Sequence, residues 1–110
     1  VKLPVVPSIA GIHDSGMIYK NALMEQWGIT AIVTGLDDDM RLLVTNYTII
    51  IIRNHNSIFI RDIKGYTFNE EVQKGFSLLQ SSDKIYFLDI IANGPNNLKY
   101  YLSPIKITIK

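Results

Sequence analysis

Four consecutive isoleucines, Ile49 to Ile52, constrain the fold of this chain more than any other feature. β-Branched side chains are stiff at the first torsion and fit a pleated strand better than a helix. Such a run is an aggregation hazard if exposed, which places it in the middle of a packed sheet. Met40 to Arg53 around it reads as the longest strand, entered from a turn over Gly35-Leu36-Asp37-Asp38-Asp39. After the polar break Asn54-His55-Asn56-Ser57, Ile58 to Ile63 resumes strand alternation, with Ile58 and Ile60 opposed to Phe59 and Arg61, and the two runs form a hairpin.

The C-terminal stretch, Lys84 to Lys110, reads as a strand, a turn and a strand. Ile85 to Ala92 is almost wholly apolar or aromatic, and Gly94-Pro95-Asn96-Asn97 supplies consecutive turn-formers. In the return arm Ile105, Ile107 and Ile109 face one way and Lys106, Thr108 and Lys110 the other, the period-two pattern of a half-buried strand.

Between these regions Phe68, Val72, Phe76 and Leu79 recur at helical intervals, and Thr67 followed by Glu70 has the spacing of a capping box. Gly75 inside that helix costs about 1 kcal/mol relative to alanine, so packing of the apolar stripe must hold it. Earlier, Pro4 and Pro7 remove backbone donors, which makes residues 1–14 a linker or an edge strand and leaves 15–110 as the domain proper. Gly11 and Asp14-Ser15-Gly16 mark a turn. Asn21 is positioned to cap a short helix over Ala22 to Gln26, ended by Gly28, with Trp27 sealing one end of the core, and Ile29 to Thr34 is a strand. The order of strands, one helix and strands is that of a mainly β chain, an immunoglobulin-like antiparallel β-sandwich with one connecting α-helix.

With 110 residues the chain makes one domain that needs neither metal nor disulfide to fold. Eleven basic against ten acidic residues leave a net charge of +1, which gives no footprint for nucleic acid or an anionic membrane. The absence of cysteine excludes disulfides and thiolate metal sites. There is no run of about 20 apolar residues and no signal-peptide pattern, so no direct membrane contact is expected within the chain. A first residue of Val1 rather than Met fits a mature or trimmed product.

No residue pattern points to catalysis. His13, Asp14 and Ser15 are triad residue types, but a triad converges from separate elements and these are adjacent. His13 and His55 lack metal-ligand spacing. Asp37-Asp38-Asp39 is the densest carboxylate cluster, yet three successive aspartates cannot all point at one cation, and a plain turn accounts for them. Asn46-Tyr47-Thr48 matches a glycosylation pattern but lies inside a strand. The expectation is therefore no catalytic residue, no cofactor and no metal. Adjacent Tyr100 and Tyr101 must face opposite sides of their strand, one inward and one outward. Together with Trp27 they are the candidate interface residues, because large aromatics anchor protein contacts.

Several segments, taken in order, resemble the C-terminal periplasmic domain of the GldM family, part of the gliding-motility and type IX secretion machinery of the Bacteroidetes. Ala10-Gly11 and Ser15-Gly16, with Ile18 and Lys20, are similar to the family's opening segment. Phe68-Asn69-Glu70-Glu71 leads through the helix to Asp83-Lys84-Ile85-Tyr86-Phe87-Leu88-Asp89-Ile90, like the family's helix and aromatic-x-acidic-Ile strand. Gly94-Pro95 resembles its turn, and Leu102-Ser103-Pro104-Ile105 with Ile107 and Ile109 its closing strand. Two departures stand out: Asn96-Asn97 replaces the usual Asp-Gly, and Gly35 to Met40 replaces a phenylalanine-rich stretch and its two aromatics. The resemblance implies a non-catalytic protein-protein interaction module of the periplasm or cell envelope. Its partners would be other envelope proteins, with a homodimer through an edge strand among them. Similar domains in BlaR-type membrane signalling proteins make a periplasmic sensory domain the alternative.

Overall fold

The computed structural model describes residues 4–35 and 40–110. Asp37 to Asp39 therefore lie outside the described residues. Eight strands and two short α-helices are present among those described: β1 (Val5–Ser8), β2 (Ser15–Ile18), α1 (Lys20–Met24), β3 (Thr30–Val33), β4 (Met40–Arg53), β5 (Asn56–Lys64), α2 (Glu70–Ser77), β6 (Lys84–Asn93), β7 (Lys99–Tyr101) and β8 (Ile105–Ile109). The strands run in the order β1-β3-β4-β6-β8-β2, with β5 on β4 and β7 on β6. The fold is mainly β and sandwich-like, a curled sheet with α2 as the connection from β5 to β6.

The long strand β4 is shared by the two parts of this curl. Its first residues pair with β3, Val33 opposite Met40 and Ala31 opposite Leu42. From Asn46 onward it pairs with β5, and from Leu43 to Ile52 with β6. Alternation along it is strict where the isoleucines lie. Ile49 and Ile51 are fully buried, whereas Ile50 and Ile52 are only half-buried on the opposite face.

The buried face continues across the sheet through Ile85, Phe87, Ile105 and Ile107. Helix α2 lies on it. Phe68 meets Phe76 edge-on with ring centres 5.1 Å apart and stacks on Phe87 at 5.7 Å, so aromatic rings form the seam between helix and sheet. The glycine inside the helix has a packing cause: a Cβ on Gly75 would stand 2.6 Å from the Phe59 ring of β5. Gly28 is held more tightly still, since a Cβ there would meet the Tyr66 carbonyl oxygen at 1.9 Å.

Several local expectations change. Ser15 and Gly16 do not belong to a turn; they open β2, which pairs parallel with β8, so the sheet is mixed rather than wholly antiparallel. The first helix starts at Lys20 with Tyr19 before it, and no side chain caps it, Asn21 included. For α2 the cap is Asn69, whose side-chain oxygen accepts from Val72 N at 3.1 Å, and not Thr67. Asparagine at this position satisfies a free first-turn N–H just as a capping-box residue would. The four-residue polar break shrinks to a two-residue turn, Asn54 and His55, both at positive φ, with Arg53 directly opposite Asn56. The C-terminal return arm divides into β7 and β8, and Pro104, which has no N–H to donate, stands just before β8. Trp27 does not seal the core; it is 85 % exposed.

Candidate functional site

A strand whose residues are apolar on both sides must show one of its faces to something other than its own core. In β4 that second face carries Ile50 and Ile52, and register extends it sideways. Ile50 stands opposite Ile60 of β5 on one side and Tyr86 of β6 on the other, and Tyr86 in turn stands opposite Lys106 of β8. This makes a row of four strands: Ile60, Ile50, Tyr86, Lys106. The next row toward the hairpin brings Ile52 beside Lys84 and Lys84 beside Thr108. In the other direction Thr48 stands between Asp62 and Leu88. Ile60 is half exposed, and Ile58, at the β5 bulge, is exposed as well. The result is a face with an aliphatic and aromatic centre on the side of the sheet away from α2.

The face is charged at its ends and apolar between them. At the Thr48 end two irregularities in the β4–β6 register, on either side of Asn46, coincide with Asp89 at φ 49°. A bulge of this kind opens the ladder and re-aims side chains. There a cleft of about 500 Å³ is lined by Asn46, Thr48, Asp62, Lys64 and Asp89 among others. Asp62 accepts a 2.7 Å hydrogen bond from the Thr48 hydroxyl. At the opposite end stands Lys84, and Lys106 flanks the central row on β8. None of Asp62, Asp89, Lys84 or Lys106 takes part in an ion pair among the described residues.

The other polar cluster is structural. Asp83 is 3 % exposed and takes a two-pronged contact from Arg53, Nε to Oδ1 at 3.0 Å and Nη2 to Oδ2 at 2.7 Å. Its Oδ2 also accepts from Gln80 N, while Arg53 Nη2 donates to the Leu78 carbonyl that the end of α2 leaves open. The Arg53 guanidinium, helped by Gln80 N, holds the Asp83 carboxyl below its usual range against the opposing effect of burial. These contacts tie the end of α2 to β4 and β6. Tyr47, buried beneath the sheet, donates to the Thr67 carbonyl at 2.8 Å, and burial pushes its phenol well above the ordinary value.

The structure scatters the aromatics proposed as an interface. Tyr101 is 73 % exposed, whereas Tyr100 is 6 % exposed and packs over Gly94. Trp27 sits in the connection after α1, its carbonyl bonded to Phe68 N beside the start of α2. His13, Asp14 and Ser15 do not converge: His13 Nδ1 donates to the Pro7 carbonyl at 3.1 Å, the Asp14 carbonyl accepts from Lys106 N, and Ser15 is in β2. Among the described residues no group of three or more His, Asp or Glu gathers as metal ligands. No described helix is long and apolar enough to cross a membrane.

The family model for the GldM C-terminal domain matches residues 7–110. The chain belongs to the GldM C-terminal domain family. No curated protein matches it. The GldM resemblance read from the sequence now has places in the fold. Phe68 to Glu71 is the capped entrance of α2, Asp83 to Ile90 is the Arg53-anchored start of β6, and Gly94-Pro95 opens the single-turn helix Pro95–Asn97. The outer-face residues of this GldM domain escaped the sequence reading, although a signal existed. Two of four consecutive strand isoleucines were bound to face away from whatever buries the other two.

Proposed function

We propose that this GldM-family domain is a non-catalytic protein-interaction module of the cell envelope, part of a gliding-motility or type IX secretion assembly. Membership of the GldM C-terminal domain family carries the reading. The apolar outer face of β4, β5 and β6 supports it, because a contiguous apolar surface rimmed by charge is how a partner-binding surface differs from ordinary protein exterior. Affinity would come from burial of that centre, with charge setting orientation.

A specific feature favours a second reading. The cleft at the Asp89 bulge has the size and mixed polar lining of a small-ligand site, as a sensory domain of a BlaR-type signalling protein would need.

The test is fractionation of the native organism with an antibody against residues 7–110, followed by purification of the recognised protein under mild crosslinking. The module reading expects the antigen in the envelope fraction, joined to other proteins of the secretion machinery. An antigen confined to the cytoplasm, or one that crosslinks to nothing, would overturn it, and recovery of the domain as part of a membrane signalling protein would transfer the assignment to the second reading.

A further inference from the structure

We infer that Asn93 is a self-modification site: its side-chain amide is displaced by the backbone nitrogen of Gly94 when the β6–β7 connection opens, and the main product cannot return to the original register. The site needs no partner and is independent of the module reading.

Asn93-Gly94 is the one Asn-Gly pair in the sequence; at every other asparagine a residue with a side chain follows. The reaction is an intramolecular acyl transfer. Gly94 N attacks Asn93 Cγ, a new C–N bond closes an imide ring, and the bond from Cγ to Nδ2 breaks. The side-chain nitrogen leaves as ammonia, taking up the proton that the Gly94 amide gives to solvent. Water then adds to one of the two ring carbonyls. Opening on one side leaves an ordinary aspartate. Opening on the other leaves an isoaspartate, in which the main chain runs through the side-chain carbon. Nothing is oxidised or reduced. Glycine favours ring closure because no Cβ crowds the attacking nitrogen and its backbone is free to turn.

The fold accounts both for the glycine and for the delay in its reaction. A Cβ at position 94 would collide with the Tyr100 ring, so the packing of β7 itself requires the reactive pair. Asn93 is the last residue of β6, exposed to water, with its backbone paired to Leu43 of β4 on one side and Lys99 of β7 on the other. Ring closure requires the Asn93 ψ to leave the extended range that this pairing imposes. It also requires the Gly94 nitrogen, whose N–H donates to the Leu98 carbonyl at 2.8 Å. Both restraints come from one short stretch, the turn Pro95–Asn97 and the three residues of β7. Opening so small an element costs less than unfolding the domain, so the reaction reports local opening. Isoaspartate adds one backbone atom before Gly94, which carries its nitrogen away from the Leu98 carbonyl and puts β7 out of step with β6.

The experiment ages the full chain at mildly alkaline pH, folded and in urea, and follows each asparagine by peptide mass spectrometry after digestion in acid, with enzymatic methylation to count isoaspartate. In urea Asn93 is expected to react ahead of every other asparagine. Folded protein is expected to react at Asn93 at least about tenfold more slowly. Tyr100→Ala, which removes the ring lying over Gly94, is expected to recover most of that factor in the folded protein and to leave the rate in urea unchanged. If Tyr100→Ala does not fold, hydrogen exchange of the wild-type Gly94 amide takes its place and must rise with the reaction rate as mild urea is added. The isolated isoaspartyl form is expected to lose the slow exchange of the Leu102 amide, which donates to the Ile90 carbonyl beside β7. Equal rates folded and in urea, a different asparagine leading in urea, or a folded rate indifferent to both Tyr100→Ala and mild urea would overturn the inference. An isoaspartyl form that keeps the Leu102 amide protected would overturn the loss of register.

Discussion

Single residues hold this domain together at a few places, and pH exposes two of them. Asp83 has its folded pKa lowered by Arg53, below the unfolded value of about 4. The unfolded chain therefore binds the proton first as pH falls, and the stability Asp83 contributes is complete above that value and disappears as pH drops through the folded one. Urea midpoints of the wild type and Asp83→Asn, measured from pH 2 to 6, should differ clearly at pH 6 and converge in acid. By contrast the exposed Arg61–Glu71 pair at 2.8 Å should matter by less than about 1 kcal/mol. Tyr47 works at the other end of the scale. Its raised pKa means that above about pH 10 the unfolded tyrosine ionises while the buried one keeps its proton, so stability falls with rising pH. Tyr47→Phe leaves the Thr67 carbonyl without this donor and should cost about 1 kcal/mol at neutral pH, while flattening the alkaline slope.

At the scale of elements, α2 shows how packing overrides propensity. An alanine at position 75 gains about 1 kcal/mol of helix preference. It also drives a methyl group into the Phe59 ring, and overpacking of this kind costs about 1 to 3 kcal/mol. Gly75→Ala should therefore leave the domain no more stable than the wild type in chemical denaturation, and Phe59→Leu should relieve the double variant. Strong local periodicity made some elements legible in advance: the limits of β4 at Met40 and Arg53 and the buried stripe Val72, Phe76 and Leu79 appear where the pattern put them. Elements that depend on distant partners were not legible. β2 holds only four residues, and its Asp-Ser-Gly approach carries turn chemistry, so nothing local announces a strand that exists because β8 is there to receive it. The cap of α2 was misplaced by two residues because Thr67 and Asn69 both have the right chemistry, and Thr67 instead makes an isolated bridge to Gly28.

Over the whole molecule, family and fold class were legible from collinear motifs, whereas the candidate surface was not. It is built from register, which pairs Ile60 with Ile50 and Ile50 with Tyr86, and no single segment contains it. Trp27 was misread for a related reason: bulk and hydrophobicity favour burial, but a connection after a five-residue helix gave this side chain no core to enter. Register has a temporal side as well. Ser15 pairs with Lys106, so β2 leaves the ribosome before its partner and waits while β3 to β7 are made. Until β8 arrives, the growing chain carries an unpaired β2 segment and an open edge along Lys84 to Phe87 of β6, a state that invites association with other nascent chains. Closure over so long a loop places refolding in the millisecond-to-second range of non-local topologies, as stopped-flow circular dichroism can measure.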